Sequence, residues 1–130
     1  AVKTAARAWF VLRMNGMRDV AILDGGIAKW RAEGRQLEAG EVATTPIAEQ
    51  RAPADAAGVR SKRDMLANLA SRAEQVIDAR DPARFAGTTA DAVHGLPGGH
   101  IPGARNLHYR DLYQADGTLR SEAELRAAFG

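Results

Sequence analysis

Apolar and polar positions along the chain follow the rhythm of helices interrupted by short apolar runs. From Ala1 to Met14, the residues Ala5, Ala8, Trp9 and Leu12 share one face, and Lys3, Arg7 and Arg13 lie elsewhere. That spacing predicts an amphipathic helix, which Asn15-Gly16 stops. Val20-Ala21-Ile22-Leu23 is then an apolar run of strand length, closed by Asp24-Gly25-Gly26. A second helix is predicted from Ile27 to Glu33, ending at Gly34. Helix, short buried strand, glycine turn and helix is the order of an α/β unit with a parallel sheet.

Between Arg35 and Gly58 the pattern dissolves. Scattered apolar residues, two prolines and no sustained period predict an extended connector, longer than ordinary loops within a domain. After it the rhythm resumes. Ser61 is placed to cap a helix over Lys62 to Ala70, with Asp64 three positions on as its capping-box acid. Gln75-Val76-Ile77-Asp78 predicts a strand, and Asp81-Pro82 opens a short helix, since proline suits a first turn. A loop over 87–98 follows, then a very short strand ending near Leu107, then a helix starting at Ser121 that carries Leu125 and Phe129. Neither half offers enough strands for a complete sheet. The expected organisation is therefore the end of one α/β domain (1–34), a connector (35–58) and the start of a second (59–130), with both domains incomplete in this chain.

Composition narrows the chemistry. With 130 residues, 45% hydrophobic and 26% charged, the chain is globular in character and not disordered. Net charge is only +2, and Asp64 interrupts the basic group Arg60, Lys62 and Arg63. No concentrated basic patch exists, so no nucleic-acid partner is expected. No apolar run reaches membrane-spanning length, and the first residues read as an amphipathic helix instead of a leader, so neither membrane nor signal peptide is expected. There is no cysteine. That removes disulfides, thiolate metal sites and a cysteine nucleophile from these residues.

Two stretches carry candidate chemistry. Parallel sheets present their working residues at the carboxyl ends of strands, and the predicted strand at 75–78 delivers Asp78-Ala79-Arg80-Asp81 there. Arg84 lies one helical turn beyond Arg80. A pair of guanidinium forks suits sulfonate, phosphate or carboxylate oxygens. The plainer alternative pairs Arg80 with Asp78 or Asp81 and leaves Arg84 solvated. The second stretch is Gly98-Gly99-His100-Ile101-Pro102-Gly103-Ala104. Its glycines permit a close backbone approach and Pro102-Gly103 signals a turn, so His100 is expected in a fixed loop before a strand. A buried imidazole bonded to backbone and pinning the loop is the favoured role; acid–base chemistry is the alternative. No metal pattern surrounds it. Trp9 and Trp30, each on an amphipathic helix, are expected to be domain-packing residues and not cofactor contacts.

At these residues the chain resembles a known family. VIDARDPARFAG followed by GGHIPGARNL is similar to the opening of a rhodanese domain, and 113–129 fits the tandem two-domain sulfurtransferases. Independently, ARAWF, Gly16, VAILDGG, Trp30 and Gly34 resemble the closing part of a preceding rhodanese domain. The resemblance spans nearly the whole chain. It implies an α/β fold with a parallel sheet flanked by helices, and a catalytic cysteine in a loop of backbone amides downstream of Phe129. It implies transfer of a sulfane sulfur from a small anionic donor to cyanide or another thiophilic acceptor, without cofactor or metal. By the same resemblance Arg84 faces substrate, while Asp78, Arg80 and His100 support the active loop. The remainder of its own chain would complete both domains, and a cytoplasmic location is expected. Mercaptopyruvate-preferring members carry a second arginine shortly after the RF-G-T element, whereas Thr88 to Gly95 contains none. The Asp91-Ala92-Val93 stretch looks more like thiosulfate-preferring members, so thiosulfate is the expected donor. The alternatives are 3-mercaptopyruvate and a catalytically silent binding module.

Overall fold

The computed structural model describes residues 2–41, 43, 58–92 and 94–130. Most of the expected connector, namely 42 and 44–57, lies outside them, as does Val93. The chain folds as two compact units: residues 1–59 together with 116–118, and residues 60–115 together with 119–130.

In the first unit, α1 runs over Val2–Met14 and α2 over Gly26–Ala32. Trp9 donates its indole N–H to the Val20 carbonyl at 3.0 Å, and Trp30 donates to the Gln36 carbonyl at 2.9 Å. Both tryptophans therefore tie a helix to the segment that follows it. Glu33 is placed between two cations, 2.9 Å from Lys29 Nζ and 2.5 Å from Arg35 Nε. The expected strand at Val20–Leu23 does not form. The segment belongs to no ladder among the described residues, and Ile22 and Leu23 are exposed. A strand needs a neighbour to receive its backbone hydrogen bonds, and no described segment supplies one.

In the second unit, α3 spans Lys62–Ser71. Its capping box is complete: Ser61 Oγ accepts from the Asp64 N–H, and the Asp64 carboxylate accepts from the Ser61 N–H at 2.8 Å. Asn68 closes the other end by bonding both the carbonyl and the N–H of Glu74, at 2.8 and 2.9 Å. Then come β1 (Ile77–Asp78), α4 (Pro82–Ala86) and β2 (Arg105–Asn106). The strands pair in parallel, Ile77 opposite Arg105 and Asp78 opposite Asn106. Flanking bonds extend the pairing, from Arg105 N–H to Val76 O (2.9 Å), Leu107 N–H to Asp78 O (3.0 Å) and Tyr109 N–H to Ala79 O (3.1 Å). A parallel pair needs a crossover connection, and α4 with the loop after it provides one. The unit continues through a 3₁₀ turn at Tyr109–Leu112 and an antiparallel bridge between Tyr113 and Leu119, and ends in α5 (Glu122–Phe129), which Ser121 and Glu124 cap reciprocally.

The arrangement is α/β with a parallel pair, as expected. Among the described residues no hydrophobic side chain is fully buried. The interactions that define the second unit are instead concentrated in polar groups at the carboxyl end of β1.

Candidate functional site

Asp78 sits where β1 ends, and its carboxylate organises the turn that follows. Its Oδ1 accepts the Arg80 backbone N–H at 2.9 Å, an Asx-type turn. The same carboxylate receives the Arg80 guanidinium, Nε at 3.0 Å and Nη2 at 2.6 Å. This charge-assisted fork holds the Asp78 carboxyl below the ordinary aspartate range, against the opposing effect of its partial burial. Arg80 Nη2 also donates to the Gly99 carbonyl at 2.6 Å, which ties the strand end to the glycine-histidine loop.

Asp81 caps α4, with Pro82 at the first helical position. Its Oδ1 accepts the Arg84 backbone N–H at 3.0 Å and its Oδ2 accepts Arg84 Nε at 2.5 Å. The backbone bond and then the guanidinium bond lower the Asp81 pKa. Arg84 is thus paired and only partly exposed, and not the solvated residue of the plainer sequence reading. Arg80 follows that reading, since Asp78 holds it.

The loop after α4 folds back on these arginines. Gly87 closes the helix in the left-handed region at φ 80°. Asp91 and Leu96 form an antiparallel bridge, with Asp91 N–H to Leu96 O at 2.9 Å. Gly98 then passes so close that a Cβ there would lie 2.4 Å from the Thr89 carbonyl oxygen and 2.8 Å from Gly87 Cα. Gly99 N–H donates to the Arg84 carbonyl at 2.8 Å. Contact of two backbones therefore explains Gly98, whereas Gly99 is explained by its φ of 120°, which side chains disfavour.

This folding brings in a residue that sequence reasoning placed only in a substrate-preference stretch. Asp91 is 4% exposed, the most enclosed polar residue among those described. Its Oδ2 lies 3.1 Å from His94 Nδ1 and 3.9 Å from Arg80 Nη1. Its Oδ1 lies 3.8 Å from Arg84 Nη1 and, although buried, has no hydrogen-bond partner among the described residues. The His94 contact, followed by the nearby Arg84 charge, lowers the Asp91 pKa against desolvation. Asn106 was also missed. Its amide donates to the carbonyls of Asp78 (3.0 Å) and Arg80 (2.9 Å), fixing the strand end from β2. Its only sequence signal was its position just after the GHIPGA element.

His100 stacks on Phe85, with ring centroids 3.8 Å apart and planes 11° from parallel. Its Nδ1–H donates to the Phe85 carbonyl at 2.8 Å, which sets that nitrogen as the protonated one. The expected backbone bond is present, but the expected burial is not, because His100 is exposed. Asp78, Arg80, Arg84 and Asp91 thus converge at one strand end, while His100 bonds and stacks on Phe85, next to the Gly99 carbonyl that Arg80 binds. Among the described residues no group of histidines and acids has the arrangement to hold a metal ion, and no helix is long and apolar enough to cross a membrane. An open groove of about 350 Å³ beside α3, lined by Met65, Leu69, Ile101 and Pro102 among others, includes none of these charges.

What this arrangement can do is bind oxygens of an anion. Two guanidiniums are held by Asp78 and Asp81, and each keeps an Nη1 group without a hydrogen bond among the described residues, 3.9 Å (Arg80) and 3.8 Å (Arg84) from Asp91.

No family model matches the chain. It is 36% identical over 126 residues to 3-mercaptopyruvate sulfurtransferase from Homo sapiens, covering 97% of this chain and 42% of that one. It is 34% identical over 125 residues to thiosulfate sulfurtransferase from Gallus gallus, covering 96% and 42%. Among solved structures it superposes on SseA from Escherichia coli, described as a 3-mercaptopyruvate sulfotransferase with the rhodanese fold, with a TM-score of 0.77 and 38% identity over 95% of this chain and 45% of that one. The chain thus spans less than half the length of these relatives. Through sequence shared along almost its entire length, and through the fold of its described residues, the chain belongs to the rhodanese family.

Proposed function

We propose that the protein carrying this chain is a sulfurtransferase, and that the strand-end arginines hold the anionic part of its sulfur donor. The observation that supports this reading is the Asp78–Arg80–Asp81–Arg84 array at the carboxyl end of β1, in a chain related at 33–38% identity to named sulfurtransferases. These 130 residues contain no cysteine, so the nucleophile comes from elsewhere in the protein. Its thiolate attacks the outer sulfur of the donor, the bond to that sulfur breaks, and the leaving group departs with the electron pair. The resulting persulfide passes its sulfur to cyanide or a thiol. Arg84 lowers the cost of bringing an anion to that thiolate.

The donor proposed is thiosulfate, because residues 88–95 supply no second arginine for a substrate carboxylate. A second reading, 3-mercaptopyruvate, draws on the buried Asp91 carboxylate, whose negative charge weighs more heavily on a dianion than on a single carboxylate.

Arg84→Ala in the full-length protein tests the proposal. We expect kcat/KM for thiosulfate to fall about tenfold or more, mainly through KM, because a charged fork is lost from the donor site. The thermal unfolding midpoint should change little by comparison. An unchanged kcat/KM would remove Arg84 from the donor site. Absence of transfer from either donor in the unaltered protein would favour a binding module.

A further inference from the structure

The two arginines at the strand end are not equally free on all sides. Arg84 uses Nε on Asp81, and Arg80 uses Nε and Nη2 on Asp78 and the Gly99 carbonyl. What remains without a hydrogen bond on each among the described residues, and in that sense open, is Nη1. Both Nη1 groups approach the same carboxylate, at 3.8 Å from Arg84 and 3.9 Å from Arg80, and neither distance is a hydrogen bond. That carboxylate is Asp91, with its side chain 6% exposed and its Oδ1 left without a hydrogen-bond partner. A buried carboxylate oxygen ordinarily finds a donor. Here the donors stand just out of reach, pinned by two other acids.

Charge counting follows from the same contacts. Asp78, Asp81 and Asp91 face Arg80 and Arg84, so the group carries one negative charge in excess while His94 is neutral. An anion that takes the open Nη edges must sit beside Asp91. The hydrogen bonds it gains depend on the shape of its oxygens, but the repulsion from Asp91 scales with its charge. A dianion bears twice the penalty of a monoanion of the same shape.

Resting on the sulfurtransferase reading, we propose that Asp91 is a specificity-determining residue. Its buried carboxylate, set against the Nη1 groups of Arg80 and Arg84, imposes a charge penalty on dianionic sulfur donors, thiosulfate included, that is about half as large for monoanionic ones. His94, 65% exposed and in contact with Oδ2, tunes that penalty from the solvent side.

The test compares two donors that share the reacting sulfur and differ by one charge: thiosulfate, a dianion, and methanethiosulfonate, a monoanion in which a methyl group replaces one oxygen. In the full-length protein at pH 7, Asp91→Asn keeps the side-chain shape and removes the charge. The ratio of kcat/KM for thiosulfate to that for methanethiosulfonate should rise roughly three- to tenfold, the effect of one unit charge at about 7 Å in a partly exposed site. His94→Lys, at an exposed position tolerant of substitution, places a permanent cation beside Asp91 and should raise the ratio about twofold. It decides the matter if Asp91→Asn does not fold. Equal losses with both donors and an unmoved ratio in either variant would overturn the proposal, leaving Asp91 as a purely structural ion-pair partner. A ratio that falls would overturn it too. No transfer from either donor in the unaltered protein would instead sink the sulfurtransferase reading, and this inference with it.

Discussion

Residues 20–34 and 75–87 carry the same local pattern. Each has an apolar run ending in an aspartate, then a turn, a short helix and a glycine stop. Their outcomes differ. Ile77 and Asp78 enter a parallel ladder with Arg105 and Asn106, and Asp78 captures a guanidinium. Val20–Leu23 stays extended, joins no ladder among the described residues, and is tethered through the Trp9 bond to the Val20 carbonyl. An apolar run makes a segment a candidate strand, but a partner decides whether it becomes one. For β1 the partner arrives within the same unit, carried back by α4 and the loop that Gly98 draws tight.

The sharpest way to break this difference is at the glycines. Gly98→Ala places a methyl group against backbone atoms of Thr89 and Gly87, which cannot move aside as a flexible side chain would. We expect it to cost toward the upper end of the roughly 1–3 kcal/mol typical of overpacking. It should also loosen the return of the loop to β1. Gly34→Ala, just past α2, meets nothing within 4 Å and pays only for its φ of 71°, roughly 1 kcal/mol. Chemical denaturation of both variants checks the contrast. Equal losses would mean that the backbone contact at Gly98 relaxes freely.

The same contrast explains what could be read from the sequence. Capping boxes at Ser61–Asp64 and Ser121–Glu124, and the Asp81-Pro82 helix start, were legible because each is settled within three residues. The Asp78–Arg80 pair was legible for the same reason. Asp91 was not. As a loop acid between Ala90 and Ala92 it carries no local mark, and its burial arises only when the Asp91–Leu96 bridge and the Gly98 contact fold the loop onto the arginines. The missing ladder at Val20–Leu23 and the exposure of His100 are non-local in the same way, because burial depends on what else arrives.

A smaller effect reports on the aspartate that ends β1. Asp78 has its folded-state pKa depressed by the Arg80 fork. The sign follows directly. A depressed carboxyl contributes stability that is present above its unfolded value, about 3.9, and is lost as pH falls through the folded value. Between about pH 5 and strongly acid conditions, the original protein should therefore lose stability faster than Asp78→Asn does. Other depressed carboxyls, such as Asp64 and Glu74, remain in both proteins and cancel in the difference. Parallel acid-denaturation curves would show that the Asp78 fork contributes nothing in solution.

The smallest expected effect tests the other segment. Ile22 is 44% exposed, whereas Ile77 is half-buried within its ladder. Ile77→Thr removes apolar contact and adds a hydroxyl to a partly enclosed position, at a cost of about 1 kcal/mol. Ile22→Thr makes the same chemical change on an exposed, unpaired segment and should alter stability by less than about 0.5 kcal/mol. The comparison gains most when made in the full-length protein. A loss at Ile22 equal to that at Ile77 would mean that 20–23 has acquired a ladder partner from outside the described residues, and that the two segments differ in the reach of their partners instead of in their own sequence. A persistently silent Ile22 would mean that the tether from Trp9, and not sheet pairing, is what the first segment uses to hold its place.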